Sequence, residues 1–383
     1  MLKNNEKYNF IDVFSGAGGL SCGMELAGLN CVLGIELDKN AVETFKLNHK
    51  NANAYCGDIS KLSENELNKL LCGKKIHAVV GGPPCQGFST VGLGNPKDKR
   101  NLLFREFIRI VKITNPYYVV IENVTGLLAK KNEKTIKAIF KLFSEMGYAL
   151  DVQVMSAENY GAPEKRRRTI FIGSRINEKV IFPNPIYNTQ VGKTFIPART
   201  VGEAITNLKD KKGKIHNHDI ETAHIKSSID LARIKCIPEG CGIRYEVDEK
   251  NYLPKKLKLN VNWKEIPENR FRQTKYQRLD RKKPSPTIMT HRHNYFHPIE
   301  HRYLTPREAA AIQSFPNDFI FIGPLSSQWR QIGNAVPPLL GRAIGSAILK
   351  MYKESNLSSM TKKISVKTDV KKIREKAFIY RDV

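Results

Sequence analysis

The chain has 383 residues, and 63 Lys and Arg against 37 Asp and Glu give it a formal net charge of +26. This length predicts one large domain with a second, smaller one, and the charge favours a polyanion, nucleic acid first, as the partner. Seven scattered cysteines without a CxxC pair argue against a disulfide framework or a zinc site and for a reducing cytosol, and no apolar run is long enough to cross a bilayer.

Residues 8–175 alternate short apolar runs with amphipathic stretches, a pattern typical of βα units and a mostly parallel α/β sheet. The first predicted strand, near 8–14, leads into the glycine-rich stretch 15–20, which predicts a tight turn and then a helix. The second predicted strand ends in Glu36, an acid placed to accept hydrogen bonds from a ribose. Ser21 stands where a dinucleotide fingerprint needs its third glycine, so an adenosyl ligand without phosphates fits better.

Two further acids follow predicted strands. Asp58 comes after a short third strand and either reaches an adenine amino group or caps a turn or helix. Glu122 stands at the terminus of the apolar strand predicted over 117–121, which ends in Glu122-Asn123-Val124, and this position favours a functional carboxylate over a solvated surface acid.

A rigid cysteine loop follows the buried strand predicted over 76–80, in the run Gly81-Gly82-Pro83-Pro84-Cys85-Gln86-Gly87-Phe88-Ser89. The two prolines predict a stiff, extended exit at the carboxyl end of the strand, where open α/β sheets place their chemistry. Cys85 is therefore either a nucleophile or an inert structural cysteine. Residues 91–100 predict a mobile lid whose lysines face phosphate, and a helix is predicted over 101–114.

Three arginines precede the strand predicted over 169–173. Strand alternation places Arg166 and Arg168 on one face and Arg167 on the other. They form either a solvated basic edge or a pair of guanidinium groups aimed at a phosphate or a pyrimidine carbonyl.

The βα rhythm disappears between residues 176 and 302, where 25 Lys and Arg against 14 Asp and Glu give a local net charge of +11. This composition predicts a loop-rich region that touches nucleic acid.

Regular structure returns at Thr305-Pro306-Arg307-Glu308, a capping box that predicts a helix to about Ser314. A turn over 331–338 then leads into an apolar helix to about Met351, followed by a frayed basic tail.

In this order the pieces closely resemble the DNA (cytosine-5-)-methyltransferases over about 8–352. The resemblance rests on Asp12-Val-Phe-Ser-Gly-Ala-Gly-Gly-Leu20, Gly-Gly-Pro-Pro-Cys85-Gln, Glu122-Asn-Val, Arg166-x-Arg168, Arg307-Glu308 with Gln313-Ser-Phe-Pro316, and Gln331-Ile-Gly-Asn-Ala-Val-Pro-Pro338. It implies an S-adenosylmethionine-dependent, Rossmann-like core over 1–175, a target-recognition region over 176–302, a return to the core over 303–352 and a basic tail over 353–383.

The resemblance also implies site residues. The catalytic ones are Cys85, Glu122, Arg166 and Arg168. The cofactor contacts are Phe14, Ser15, Gly16, Gly18, Gly19, Leu20, Glu36, Leu37, Asp58, Ile59, Pro84, Leu103, Asn334 and Val336. The DNA contacts are Ser89, Lys97, Lys99, Arg100, Thr287 and Ile288, the last two in the family's Thr-plus-aliphatic element, and no metal is implied.

The chemistry of such an enzyme explains these residue types. A thiolate on Cys85 adds to carbon 6 of cytosine and makes carbon 5 nucleophilic, while a protonated Glu122 donates to ring N3 and accepts from the exocyclic amine. Arg166 or Arg168 holds the pyrimidine oxygen and the Glu122 carboxylate. The nucleotide must leave the helix to react. No residue in the sequence stands out as the base that removes the carbon-5 proton, and water can take this role.

The expected partners are double-stranded DNA and a companion restriction endonuclease. The protein is expected to be a monomer in the bacterial cytoplasm, associated with the nucleoid. The sequence departs from the family pattern at one position, since the family usually has Gln where Glu164 stands, and Glu there would pair with a neighbouring arginine.

The first alternative function is that of a tRNA-cytosine methyltransferase, because such an enzyme shares this core. The long basic segment 176–302 favours duplex DNA. A non-catalytic DNA-binding relative ranks low, since Cys85 and Glu122 are both present.

Overall fold

The computed structural model describes residues 7–83, 99–192, 194–355 and 375. Pro84, Cys85, Ser89 and Lys97 therefore lie outside the described residues, and so does the predicted lid, apart from its last two positions. Most of the predicted basic tail also lies outside them.

Short strands and helices follow one another along the chain. The described strands are β1 (Asn9–Val13), β2 (Asn30–Glu36), β3 (Asn53–Cys56), β4 (Ala78–Gly81), β5 (Tyr118–Val124), β6 (Ala149–Ser156), β7 (Glu164–Lys165), β8 (Arg167–Ser174), β9 (Thr189–Val191), β10 (Thr194–Ile196), β11 (Ile243–Tyr245), β12 (Arg270–Lys275), β13 (Gln277–Arg278), β14 (Ser285–Pro286) and β15 (Tyr295–Phe296). The described α-helices are α1 (Gly19–Leu26), α2 (Lys39–Asn48), α3 (Glu64–Leu71), α4 (Lys99–Thr114), α5 (Glu133–Glu145), α6 (Val201–Thr206), α7 (Ser228–Cys236), α8 (Glu246–Tyr252), α9 (Pro306–Ile312), α10 (Leu325–Asn334) and α11 (Pro338–Glu354).

Seven strands form one sheet in the order β3–β2–β1–β4–β5–β8–β6. The first five run parallel, and β8 lies antiparallel between β5 and β6. Val13 pairs with Ile35 and Gly81, and Gly81 pairs with Ile121, so the carboxyl ends of β1, β2, β4 and β5 meet at one edge. The predicted mostly parallel α/β sheet is confirmed.

Apolar periodicity explains how the helices pack on this sheet. The strands β1 and β4 are buried almost throughout, as continuous apolar runs in a parallel sheet should be. Helix α5 buries Ile136, Ile139, Phe140 and Phe143, which recur on one face at helical spacing. The resulting core lies between the sheet and its flanking helices.

Glycines allow α1 and α11 to pack closely. A Cβ atom on Gly23 would lie 2.2 Å from the carbonyl oxygen of Pro338, and one on Gly345 would lie 2.8 Å from Cβ of Ala27. Helix α11 is thereby fixed against α1. Among the described residues no helix is long and apolar enough to cross a membrane.

The described chain divides into two compact units. The first comprises Met1–Tyr160, Arg166–Ile196 and Ala335–Val383, and the second comprises Gly161–Lys165 and Pro197–Asn334. These limits differ from the predicted ones, because residues 176–196 belong to the first unit and residues 303–334 to the second. The second unit holds two-stranded sheets and short helices, in agreement with the predicted loop-rich character.

Several predicted element limits were wrong. Strand β5 begins at Tyr118 rather than Tyr117, but it ends at Val124 beside β8, so the predicted position of Glu122 near the end of the strand is confirmed. Helix α4 begins at Lys99, which makes the last two positions of the predicted lid helical. Gln331–Asn334 end helix α10 instead of forming a turn. The capping box at Thr305 is confirmed, although its helix ends at Ile312.

Candidate active site

Two glycines bring the end of β4 against its neighbours. A Cβ atom on Gly81 would lie 2.0 Å from the backbone oxygen of Val13, a distance that no residue with a side chain can adopt. A Cβ atom on Gly82 would lie 3.0 Å from Oε2 of Glu122. The Gly-Gly pair therefore allows β1 on one side and a carboxylate on the other to approach the backbone.

Asn123 fixes the start of the cysteine loop. Its Nδ2 donates to the carbonyl oxygen of Pro83 at 2.9 Å, in a buried hydrogen bond between residues 40 positions apart. Its Oδ1 accepts from the backbone N–H of Val124 at 3.0 Å. Pro83 is two positions before Cys85 in the chain. The segment that carries the predicted nucleophile thus leaves the sheet from a point tied to β5.

The antiparallel register of β5 and β8 determines which arginine meets Glu122. Glu122 lies opposite Ile170 and Val124 lies opposite Arg168, so Glu122 and Arg168 are diagonal neighbours on one face. Nε of Arg168 lies 2.7 Å from Oε1 of Glu122, and each side chain is about one-sixth exposed or less. Arg166 is buried and Arg167 exposed, in agreement with the predicted alternation.

Burial and positive charge act on Glu122 in opposite directions. Desolvation raises the pKa of Glu122, and the charges of Arg168 and then Arg166 lower it, with a net rise above the ordinary glutamate value. The site therefore favours the protonated acid more than water does, while the arginines hold the carboxyl group in one orientation. Such a carboxyl group can both donate and accept hydrogen bonds at the edge of a flat heterocycle.

A strained loop follows β1 at the same edge of the sheet. Phe14 has φ 64°, Gly16 φ 54° and Gly18 φ 92°, so three of five consecutive residues adopt the left-handed conformation. For Phe14 this conformation costs about 1–2 kcal/mol. Glu36 stabilises the loop, since its Oε2 accepts from the N–H of Gly16 at 2.9 Å.

The features around this loop fit an adenosyl ligand. Oε1 of Glu36 accepts from two further backbone N–H groups, which leaves the carboxylate one of its roughly four acceptor positions. Oγ of Ser15 is buried without a partner among the described residues, and a Cβ atom on Gly16 would meet no atom within 4 Å. Leu37, directly after Glu36, is 69% exposed. An unsatisfied hydroxyl, an open backbone surface and an exposed apolar side chain suit a ribose joined to a flat ring.

Asp58 is a cap in this structure. Its Oδ1 accepts from the N–H of Ser60 at 3.0 Å and from Oγ of Ser60 at 2.8 Å, and these bonds lower the pKa of Asp58. The capping interpretation is confirmed, while the contact with adenine stays a prediction.

The other predicted cofactor residues are distributed unevenly. Gly18 is the N-cap of α1 and Gly19 its first residue, while Leu20 is buried. Ile59 and Val336 are also buried and Leu103 is half-buried. Asn334 is exposed and belongs to the second unit.

In the second unit, β7 pairs with β14 and links the start of the arginine segment to the Thr-plus-aliphatic element. Oε1 of Glu164 accepts from the backbone N–H of Ile288 at 2.6 Å, and Oγ1 of Thr287 donates to the carbonyl oxygen of Lys165 at 2.8 Å. Ile288 is 0% exposed, so the prediction that its side chain contacts DNA is wrong. Its apolar side chain is part of the interior instead.

Two residues that contribute to the site, Asn123 and Asp12, were not identified as site residues from the sequence. Asn123 was visible only as the middle of a motif, and nothing in the sequence linked it to Pro83. Asp12 is buried at the end of β1 and accepts from Oγ of Ser21 at 2.6 Å. An acid within an otherwise apolar strand was the available signal. Within the described ranges no cluster of three His, Cys, Asp or Glu side chains suits a metal ion.

Comparison with known proteins gives a consistent result. The family model for C-5 cytosine-specific DNA methylases matches residues 8–350. The Type II methyltransferase M1.HphI of Haemophilus parahaemolyticus is 35% identical over 350 residues, which cover 89% of this chain and 87% of that protein. The Type II methyltransferase M.DdeI of Desulfomicrobium norvegicum is 32% identical over 385 residues, which cover 91% of this chain and 90% of that protein.

Solved structures share the fold. A prophage-encoded Escherichia coli protein, described as a candidate DNA modification methyltransferase, is 26% identical with a TM-score of 0.68 and covers 91% of this chain and 100% of that one. The Dnmt2 methyltransferase of S. pombe is 17% identical with a TM-score of 0.60, covers 90% of this chain and 99% of that one, and supports the fold alone.

Proposed function

Because the chain belongs to the C-5 cytosine-specific DNA methylase family, we propose that it methylates one cytosine within a specific double-stranded sequence, through a covalent adduct of Cys85. Methylation of carbon 5 of cytosine in DNA, with S-adenosylmethionine as cofactor, is the activity of this family and of this chain. The observation that carries the residue roles is the Glu122–Arg168 pair beside the anchored exit of β4.

The acceptor carbon explains the need for a thiol. Carbon 5 of cytosine is a weak nucleophile, and addition of the Cys85 sulfur to carbon 6 moves electron density onto carbon 5. S-adenosylmethionine supplies the methyl group as an electrophile. A water molecule then takes the carbon-5 proton, the electron pair re-forms the ring double bond, and the Cys85 sulfur leaves carbon 6.

Glu122 and Arg168 recognise and activate the base. A protonated Glu122 donates to ring N3, which withdraws electrons from carbon 6 and favours addition of the thiolate. Its carbonyl oxygen accepts from the exocyclic amine, so the same group distinguishes cytosine from thymine. The raised pKa of Glu122 supports the proton, and Arg168 at 2.7 Å supports the orientation.

The target cytosine must leave the duplex, because its reacting carbons are not reachable inside a stacked helix. The basic stretch 176–302, with its net charge of +11, supports contact with the phosphates around the extruded base. Lys99, Arg100 and Thr287 stay proposed DNA contacts, as do Ser89 and Lys97 outside the described residues.

The relatives support a biological role. Proteins named Type II methyltransferases are 32–35% identical over about nine-tenths of this chain. We extend that role to this chain as the modification enzyme of a bacterial restriction-modification system, a monomer that acts on nucleoid DNA and is paired with an endonuclease of the same specificity.

A trapping experiment tests the proposal. In the presence of S-adenosylmethionine, duplex DNA with 5-fluorocytosine at the target position should form an adduct with the protein that survives denaturing electrophoresis. After methyl transfer, carbon 5 carries fluorine in place of the proton, and because fluorine cannot be removed as a cation, the Cys85 sulfur is not eliminated. Cys85→Ser should form none while still binding duplex DNA, and Cys72→Ser is the matched control because Cys72 is an exposed cysteine elsewhere.

Substrate choice is measured with the same protein. Tritiated methyl groups should reach duplex DNA and not tRNA, and bisulfite sequencing of DNA from cells that express the chain identifies the target. Preferential labelling of tRNA, or full turnover by Cys85→Ser, would contradict the proposal.

A further inference from the structure

The loop after β1 needs support from outside itself, because Phe14, which carries a side chain, has a φ of 64° there. Strained backbone persists only where the surroundings fix it. Glu36 holds Gly16 from the β2 side. Helix α1, which closes the other end of the loop, has Gly18 as its N-cap and no side-chain capping bond there.

Asp12 occupies the position from which that end can be held. It lies at the end of β1, is 2% exposed, and accepts from Oγ of Ser21 at 2.6 Å. Ser21 is the third residue of α1. The bond therefore connects the end of the strand before the loop to the first turn of the helix after it.

His49 supports the same loop from α2. Its ring is buried, its Nδ1 lies 2.7 Å from Oε2 of Glu25, and a Cβ atom on Gly18 would lie 2.2 Å from its Nε2. The loop thus rests on a buried polar layer from β1, α1 and the end of α2.

We propose that Asp12 is a positioning residue for S-adenosylmethionine: through Ser21 it sets the start of α1 and so holds the Phe14–Gly18 loop in the conformation that binds the cofactor. This inference rests on the proposed function, since it concerns the cofactor loop of the same site. Asp12 touches neither substrate nor reacting atoms in this role and acts only through the loop.

The charge state of Asp12 gives the role a signature. Burial raises the pKa of Asp12 to about 7, and the negative charge of Glu36 raises it as well. The hydrogen bonds from Ser21 and the charge of His49 lower the pKa, but by less. The thiol of Cys31 and the carboxylate of Glu25 also face this layer. The ionised carboxylate binds the Ser21 hydroxyl more strongly than the neutral acid does, and a sulfonium ligand nearby favours the ionised form. The affinity for the cofactor should therefore rise as the pH increases through about 7.

The test uses the full chain without DNA. Ser21→Ala and Asp12→Asn are compared with Tyr148→Phe, which removes another buried hydroxyl bond, to the carbonyl oxygen of Pro116 at 2.7 Å. Titration calorimetry gives the dissociation constant for S-adenosylmethionine, hydrogen exchange of the ligand-free protein reports on residues 14–21, and thermal melting reports on stability.

We expect Ser21→Ala to weaken cofactor binding about tenfold and to speed exchange in the loop by a similar factor. Asp12→Asn should remove the rise in affinity between pH 6 and pH 8 that the unmodified chain shows. Tyr148→Phe should lower the melting temperature with no change in affinity. Unchanged affinity in Ser21→Ala, or a pH dependence that persists in Asp12→Asn, would overturn the inference.

Different results would contradict the proposed function and the proposed role of Asp12. A chain that binds no S-adenosylmethionine in any form contradicts the proposed function. A chain that binds it equally well in all variants contradicts only the role of Asp12.

Discussion

The substitution Gly82→Ala should separate catalysis from stability. The added Cβ would lie 3.0 Å from Oε2 of Glu122 and 3.7 Å from its backbone oxygen. The first distance is a few tenths of an ångström too short, and the conflicting atom is the end of a flexible side chain. Gly82 is exposed and has no positive φ, so the backbone tolerates alanine and only the carboxyl group must move.

The magnitude follows from that displacement. A misplacement of about 1 Å at a reacting group costs about a hundredfold in rate, so a few tenths of an ångström should cost about tenfold in kcat, or ~1.4 kcal/mol of barrier. Single-turnover transfer of tritiated methyl groups to duplex DNA measures this rate. The melting temperature and the affinity for S-adenosylmethionine should stay unchanged.

The neighbouring glycine is the matched control. In Gly81→Ala the new Cβ would lie 2.0 Å from the backbone oxygen of Val13, and neither strand can move without opening the centre of the sheet. This variant should be strongly destabilised or fail to fold. Full kcat in Gly82→Ala together with normal folding of Gly81→Ala would refute the reasoning from close approach.

Three further predictions concern single side chains. Asn123→Ala, which removes the bond to Pro83, should lower kcat about tenfold and stability by about 1–2 kcal/mol, measured by single-turnover kinetics and urea denaturation; an unchanged kcat would contradict the anchoring role. Gly333→Ala places a Cβ 2.4 Å from the carbonyl group of Met289 and should destabilise the second unit by about 1–3 kcal/mol in urea, whereas no loss would show that this contact can relax. Asp12→Asn should be more stable than the unmodified chain above pH 7, because the carboxyl group with its pKa raised from 3.8 to about 7 contributes stability below pH 4 that is lost as the pH rises through 7. The difference in stability between the two proteins is at most ~4 kcal/mol. Thermal melting across this pH range measures it, and equal melting curves at pH 8 would contradict the prediction.

Local patterns in the sequence were enough to predict the parallel strands of the first unit and one helix start in the second. Apolar runs predicted the parallel strands, and the capping box at Thr305 predicted a helix start, because periodicity and caps involve residues within a few positions of each other. The order of the motifs indicated the family, and the acid at the end of β2 was visible as a candidate ligand. These features need no knowledge of which strands are neighbours.

Pairings between distant residues required the tertiary structure. Strand alternation left Arg166 and Arg168 as alternative partners for Glu122, and the antiparallel register of β5 and β8 placed Arg168 diagonally opposite. Burial likewise removed Ile288 from the predicted DNA contacts. The sequence also did not predict the helix at Leu325–Asn334, and the limits of the second unit differ from the predicted ones.

The sequence by itself therefore determined the chemistry that this chain carries: its strands, its glycine turns and its reactive residue types. Only the tertiary structure decided which side chains act together, as Asn123 does with Pro83 across 40 positions and Glu164 with Ile288 across 124. The physical reason is that hydrogen bonds and desolvation depend on distances of a few ångströms, and strand register and burial, which local sequence patterns do not encode, set those distances.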